Sequence, residues 1–559
     1  MSLKPIIVLS VGALLIAGCQ SGDINLSPST NVSNSNNTVN TGGGGGANDA
    51  CASYVNASGQ VIQGVYDGQN CTYSPAFADA GKHLLVDMTI PALPNGGAHI
   101  FEGSLFVGEN YGTIAEANAA GITKGGDGPT LTVEAGATIA FTSEKQFLII
   151  NRGSQLFAVG RPDAPITFTG VSDINGTVGP EDVQQWGGIV INGFGITNKC
   201  AYTGSIAGGD LALPPGGDCS VDAEGAAGLD QSQYGGDNND DSSGRLEYVI
   251  AKHTGATVGN GDELNGISWG AVGRNTVVRN VEMYSTYDDG MEFFGGAVNI
   301  DNYVAVYVRD DSIDIDEGYS GTITNALVIQ SETDGNSCIE ADGIGDFGNL
   351  TPAAIESIIA QGINSRPTIN NLTCIISPDV PGTHEPGNGW HFREGLFPTI
   401  NDSMVIGSFS ANDTTNATDN YCLKIDNRSQ QAALDGDLIL NHVIFACAER
   451  TNGQTFPDGT TTEESFAIAQ GAIFATIPDG TAVNPTAAAD PDLQLLEGTE
   501  PIYSIDYATS FVDGAAPGAS SDPAPRAFLG GLSMSETDWT KPWAFGIDPS
   551  NRAQPLWIE

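Results

Sequence analysis

Carboxylates recur along this chain at a spacing that could hold a metal ion or move a proton. The segments Asp289-Gly-Met-Glu292-Phe-Phe, Asp311-Ser-Ile-Asp314-Ile-Asp316 and Ser337-Cys-Ile-Glu340-Ala-Asp342 put Glu292, Asp314, Asp316, Glu340 and Asp342 in matching positions. Asn388-Gly-Trp-His391-Phe-Arg393 continues the series with two basic groups, and the pairs Asp288-Asp289 and Asp310-Asp311 add oxygens ahead of two segments. Between the charges stand Met291, Phe293, Ile313, Ile315, Ile339, Ala341, Trp390 and Phe392. That alternation is the period of a strand with one buried face, so the charged set is expected on the outer, solvent-facing side, on strands about 4.8 Å apart. Carboxylates so close raise one another's pKa or recruit a cation. A set made only of oxygen donors suits calcium, which tolerates irregular geometry, better than zinc.

Such a row needs an element that repeats, and the sequence supplies one. Asparagines in Val277-Val-Arg-Asn280, Asn299-Ile-Asp-Asn302, Thr322-Ile-Thr-Asn325 and Thr368-Ile-Asn-Asn371 fall 22, 23 and twice 23 residues apart, each between two short β-rich stretches. Asp402 in Thr399-Ile-Asn-Asp402, and Asn441 in Leu438-Ile-Leu-Asn441, are placed in the same slot. A coil of that length with short β-branched strands and polar corners predicts a parallel β-helix, all-β, in which each rung pairs with the next. Asparagines in one slot then stack as a hydrogen-bonded ladder.

An open rung is an exposed strand edge, so both ends need caps. The expected division is a leader over 1–18, a flexible tether over 19–50, an N-terminal cap over 51–128 with a helix near Ile114 to Ala120, and the coil over 129–450. Residues 451–559 are read as a surface excursion followed by a cap containing Trp539, Trp543 and Trp557, packed over the last rung. Asn198 to Ser243 is a second excursion, whose Asp237-Asn-Asn-Asp-Asp241 run is a candidate loop cation site.

The chain holds 67 acidic and 20 basic residues, a formal charge of -47, with an ordinary hydrophobic fraction of 40%. It is expected to be folded and acidic, with duplex nucleic acid and anionic lipid surfaces excluded as partners. Cys51, Cys71, Cys200, Cys219, Cys338, Cys374, Cys422 and Cys447 form an even set in a chain read as exported, so disulfides are expected. Pairing in sequence order closes four modest loops, one of 105 arrangements. No Cys-x-x-Cys occurs, which argues against zinc or redox chemistry at these thiols.

At the N-terminus Lys4 precedes an apolar run from Pro5 to Ala17, too short to span a bilayer, and then Gly18 and Cys19. Leu15-Ile-Ala-Gly-Cys19 resembles the bacterial lipobox, which implies lipidation of Cys19; Gln20 after it implies, by the same resemblance, sorting to the outer membrane. Ser21 to Asn48 is polar and ends in Gly42 to Gly46, a coil reaching about 30 Å on average.

The coil, with Asp288-Asp-Gly-Met-Glu-Phe-Phe-Gly-Gly296 and Asp310-Asp-Ser-Ile-Asp-Ile-Asp-Glu-Gly318 as its distinctive phrases, resembles the right-handed β-helix superfamily of pectate lyases and polygalacturonases. Closer still is the likeness to β-helix lipoproteins on the surface of marine and related bacteria. The resemblance implies two catalytic arrangements. A lyase would use carboxylate-held calcium with Arg393 or His391 as base, and a hydrolase would use Asp314, Asp316 and Glu340 as acids. No catalytic motif of the superfamily is matched residue by residue, and fold does not fix function. The preferred expectation is therefore a cell-surface lipoprotein that binds an extracellular ligand, a glycan, with calcium and beside an outer-membrane transporter. A polysaccharide lyase or glycosidase, and a surface-layer or adhesion protein, are the alternatives.

Overall fold

The computed structural model describes residues 50–224, 232–257, 263–378, 387–407, 420–447, 449–476, 486–487, 496, 502–504 and 528–559. The leader, Cys19 and nearly all of the tether lie outside the described residues. Within them no helix is long and apolar enough to cross a membrane.

The chain winds as a parallel β-helix, right-handed as in the superfamily it resembles. One sheet stacks, in order, strands Leu105–Val107, Phe147–Ile150, Gly188–Asn192, Ile267–Gly270, Met291–Phe294, Ile313–Asp316, Ser337–Asp342, Asn388–Arg393, Tyr421–Ile425 and Glu449–Thr451. The opposing sheet contains the long strands Val277–Thr286, Asn299–Val306, Thr322–Ile329, Thr368–Ile375, Thr399–Ile406 and Ile439–Ala446, each pairing in parallel with the next. Their inward residues and those of the first sheet form one continuous apolar core, including Trp186, Trp269 and Trp390.

The long strands bend at the predicted slot. Asn280, Asn302, Asn325, Asn371 and Asp402 all have left-handed φ, between 49° and 62°. Asparagine and aspartate tolerate that conformation better than other non-glycine residues, which is why they recur there. Asn325 Nδ2 donates to Asn302 Oδ1 at 2.9 Å, and Asn302 to Asn280 at 3.5 Å. The last rung departs from the expectation. The left-handed residue is His442 (φ 51°), whose Nδ1 lies 3.1 Å from Asp402 Oδ1. Asn441 pairs instead with Asn401, to which it donates at 2.8 Å, because Leu440 rather than Ile439 is the inward residue opposite Ile400.

All four disulfides join the cysteines in sequence order: Cys51–Cys71, Cys200–Cys219, Cys338–Cys374 and Cys422–Cys447. Parallel pairing begins at Cys71–Tyr73 with Ala98–Phe101 and continues to Ile473–Phe474, so coil geometry reaches into both expected end regions. Glu449–Thr451 is the final strand of the first sheet, and the helix Glu463–Ala469 packs beside it at this end of the coil. Buried Glu463 accepts from Ile425 N at 2.7 Å and Gln454 N at 3.0 Å, while Phe456 and Phe466 join the core.

The tryptophan-rich tail lies elsewhere than expected. Its described residues run along the flank of the long-strand sheet, where Trp543, Ile547, Leu556 and Ile558 cover Val304, Leu327, Ile329, Ile375 and Ile406. Outward residues on that half of each strand are apolar, so the flank itself needs covering and the tail supplies it. Gly530 N donates to Asp402 O, Phe545 N to Glu282 Oε2 and Trp557 Nε1 to Gln330 O, tying the tail to rungs far apart.

Glu282 is fully buried in this apolar strip, and burial holds its pKa well above the ordinary carboxylate range. The native state therefore keeps a proton that the unfolded chain releases, and stability is lost as pH rises from the ordinary carboxylate range toward the native pKa. Glu282→Gln retains an acceptor for Phe545 N and removes this dependence. Its melting temperature should match the parent near pH 4 and exceed it by roughly 1–3 °C at pH 8, as thermal unfolding followed by circular dichroism would show.

Candidate functional site

The parallel register brings the predicted charges into line. Ser268, Glu292, Asp314, Glu340, His391 and Lys424 occupy one position on successive strands of the first sheet. On a second line Phe294 pairs with Asp316, and Asp342 with Arg393. The alternate residues Met291, Phe293, Ile313, Ile315, Ile339, Ala341, Trp390 and Phe392 all lie in the core, as strand alternation requires.

The outer face is less open than the sequence suggests. Asp288, Asp289, Glu292 and Asp311 are buried, and Asp310, Asp314, Asp316, Glu340 and Asp342 are half-buried. The insertion after Asn198 lies against this sheet. Its Tyr234 packs on Phe294 and donates to Glu317 at 2.7 Å, and its Glu224 acts electrostatically on Glu292. The insertion's Asp237 to Asp241 run is tied into the fold. Buried Asp241 accepts from Gly125 N at 2.7 Å and Phe194 N at 3.3 Å, Asn239 accepts from Ile196 N, and Asp240 pairs with Arg274.

At the corner preceding each strand, side chains bind the backbone of the next rung. Asn265 Oδ1 accepts from Asp289 N at 3.2 Å, Asp289 Oδ1 from Asp311 N at 3.0 Å, and Asp311 Oδ1 from Ser337 N at 2.9 Å. These bonds fix the carboxylates without neutralising them. Burial, reinforced by neighbouring carboxylates, pushes the pKa values of Asp289, Glu292, Asp311, Asp314 and Asp316 well above the usual range, and that of Asp288 up to about 9.

The row divides chemically between Asp314 and Glu340. On one side, carboxylate oxygens of Asp288, Asp289 and Asp310 lie within 4.8 Å of one another, as do those of Asp289, Asp311 and Asp314, so Asp289 belongs to both groups. On the other side the sheet carries its own cations. Arg393 pairs with both Glu340 and Asp342; His391 Nδ1 lies 3.0 Å from Glu340 and its Nε2 3.1 Å from Asp426; Lys424 lies 3.1 Å from Asp426. Lys424 and Asp426 belong to a rung whose charges the sequence pattern did not single out. Burial favours neutral His391, but its bonds to Asp426 and Glu340 outweigh that and raise its pKa. Burial likewise opposes charge on Glu340, yet His391 and Arg393 bring its pKa below the usual value. Asp342 stays raised because burial outweighs Arg393. A third residue that the sequence pattern did not single out is Glu394, just past the strand with left-handed φ, whose carboxyl is pushed up to about 7 by burial and by Asp342.

The donors around Asp289 are oxygens only, which fits a hard divalent cation such as calcium and not a thiolate- or imidazole-preferring metal. Asp288, Asp289, Asp310, Asp311 and Asp314 would hold it. Glu340 and Asp342 are drawn instead to Arg393 and His391. In cation-free protein the raised carboxyls hold protons that the unfolded chain gives up, so stability should decline as pH rises above about 4 to 5. Differential scanning calorimetry without calcium should show a lower melting temperature at pH 8 than at pH 5. Millimolar calcium should restore it at pH 8, and Asp314→Asn, at a position that binds no backbone group among the described residues, should shrink both effects.

No curated protein and no solved structure matches this chain significantly. It does match the pectate-lyase like beta helix domain over residues 118–484, more than half its length, which supports a polysaccharide-related function in general terms. With the parallel coil, the stacked corner residues and the acid row on one sheet, the chain belongs to the pectate-lyase-like beta-helix family.

Proposed function

We propose that the protein is a cell-surface lipoprotein, anchored through Cys19 in the outer membrane, that binds an extracellular polysaccharide along its acid-lined sheet with calcium between protein and ligand. The observation that carries this reading is the crowding of carboxylates in register: the charges acting most strongly on Asp314 are Asp311, Glu340, Asp342 and Asp316, all acidic. A divalent cation would relieve that repulsion and keep coordination positions for ligand oxygens. Arg393 and Lys424 at the end of the row are already paired with Glu340, Asp342 and Asp426, so the calcium itself would supply the positive charge, and an acidic polysaccharide fits it better than a neutral one. A tether of low complexity suits delivery of bound glycan to a neighbouring outer-membrane transporter.

Binding without turnover is favoured because both candidate bases of a lyase are engaged: Arg393 is clamped between Glu340 and Asp342, and His391 between Glu340 and Asp426, partners that raise the pKa of each despite burial. One observation favours an enzyme. Glu394, with a carboxyl near neutrality at the margin of the row, has the acidity of a general acid.

Full-length protein should retain polygalacturonate or alginate on an affinity gel in calcium, release it on chelation, and bind it about tenfold more weakly as Asp314→Asn. Release of unsaturated uronates or new reducing ends, abolished in Glu394→Gln, would overturn the binding reading in favour of catalysis. Labelled fatty acid should be incorporated into the parent chain and not into Cys19→Ser.

A further inference from the structure

Away from the acid row, the first rungs border a cleft of about 560 Å³, lined by Leu85, Val86, Asp87, Glu109, Tyr111 and Arg152 among others. Its wall is apolar where water should be excluded. Leu85 is 56% exposed and Val86 37%, two of the few large hydrophobic side chains left in solvent, and Ile122 and Tyr111 are only half-buried beside them. Adjacent exposed aliphatic side chains within a concavity mark a contact surface better than scattered ones do.

The rim is acidic. Asp87, Glu109 and Asp127 are all exposed. Asp87 uses Oδ1 for Thr130 N, and Asp127 uses Oδ2 for Thr123 and Lys124, so both are held in place. The cation lining the cleft, Arg152, is buried and directs its guanidinium inward, to the carbonyls of Cys219, Gly235 and Tyr111 and the hydroxyl of Ser220. Three exposed carboxylates against one buried guanidinium leave the rim net negative around an apolar patch. The chain's own N-terminal segment has no complement to offer, since Ser21 to Asn48 contains no lysine or arginine.

We propose that this cleft docks a short segment of a partner protein in which apolar side chains alternate with lysine or arginine. Leucine-sized residues cover Leu85 and Val86 while the basic groups meet Asp87, Glu109 and Asp127. The site is separate from the polysaccharide face and does not depend on it.

The probe is a fluorescent Leu/Lys decapeptide, measured by anisotropy against the full chain, with a Ser/Lys peptide and a Leu/Glu peptide of equal length beside it. The Leu/Lys peptide should bind at least about tenfold more tightly than either control, since burying even one leucine is worth about that factor. Leu85→Ser and Glu109→Gln, both exposed changes that leave the coil intact, should each weaken it by several-fold, and Asp314→Asn should leave it unchanged. Equal affinity for the Ser/Lys peptide would reveal plain attraction to an acidic protein and overturn the proposal. So would loss of binding in Asp314→Asn with retention in Leu85→Ser. Failure here would leave calcium-dependent polysaccharide binding untouched, and the reverse also holds.

Discussion

Parallel pairing between rungs is the constraint from which the rest of this structure follows. Once Glu292, Asp314 and Glu340 are hydrogen-bonded into adjacent parallel strands, their side chains must project from the same side at strand spacing, whatever their charge. The repulsion is a consequence of a register set by the core, where Phe293, Ile315 and Ala341 interdigitate. The corners reinforce that register through residues that accept left-handed backbone, Asn280, Asn302 and Asn325 among them. A site built this way can change its chemistry one rung at a time without disturbing the coil.

The charge pattern illustrates that freedom. Along one line of the sheet, outward residues pass from Ile149 and Val190 through Ser268 to the acids and then to His391 and Lys424. The insertion carrying Cys200–Cys219 covers the apolar start of the line, and ion pairs satisfy its basic end. What remains between them is a stretch whose carboxylates are crowded by one another, with those of the corner residues Asp289 and Asp311 fixed by the backbone of the next rung. Position along the coil, rather than any single motif, gives that stretch its character.

Much of this was legible in the sequence because both of its signals are periodic. Two-residue alternation separated core from surface along the acid row, and the coil-length repeat put those surfaces in register. Features lacking a period were harder to read. His442 replaces asparagine in the corner slot and Asn441 stands beside it, so the eye settles one residue early; only the inward placement of Leu440 decides the matter. The degree of exposure of the row depended on Tyr234 and Glu224, brought across it by an insertion with no repeat to announce where it lies. The split at Glu340 depended on Lys424 and Asp426, one rung past the recognisable phrases. The tail's destination was likewise hidden, because Val304, Leu327 and Ile375 look like core residues in sequence, although they face outward and require a cover.

That cover changes how the solenoid holds together. Stacked rungs ordinarily feel only their immediate neighbours and can fray from an end in steps. Here a single length of chain is bonded to Glu282, Gln330 and Asp402, on rungs well separated from one another. No one of those rungs can come apart without disturbing the strap that also grips the others. The fastening turns a stack with local loyalties into a body that should yield as a whole.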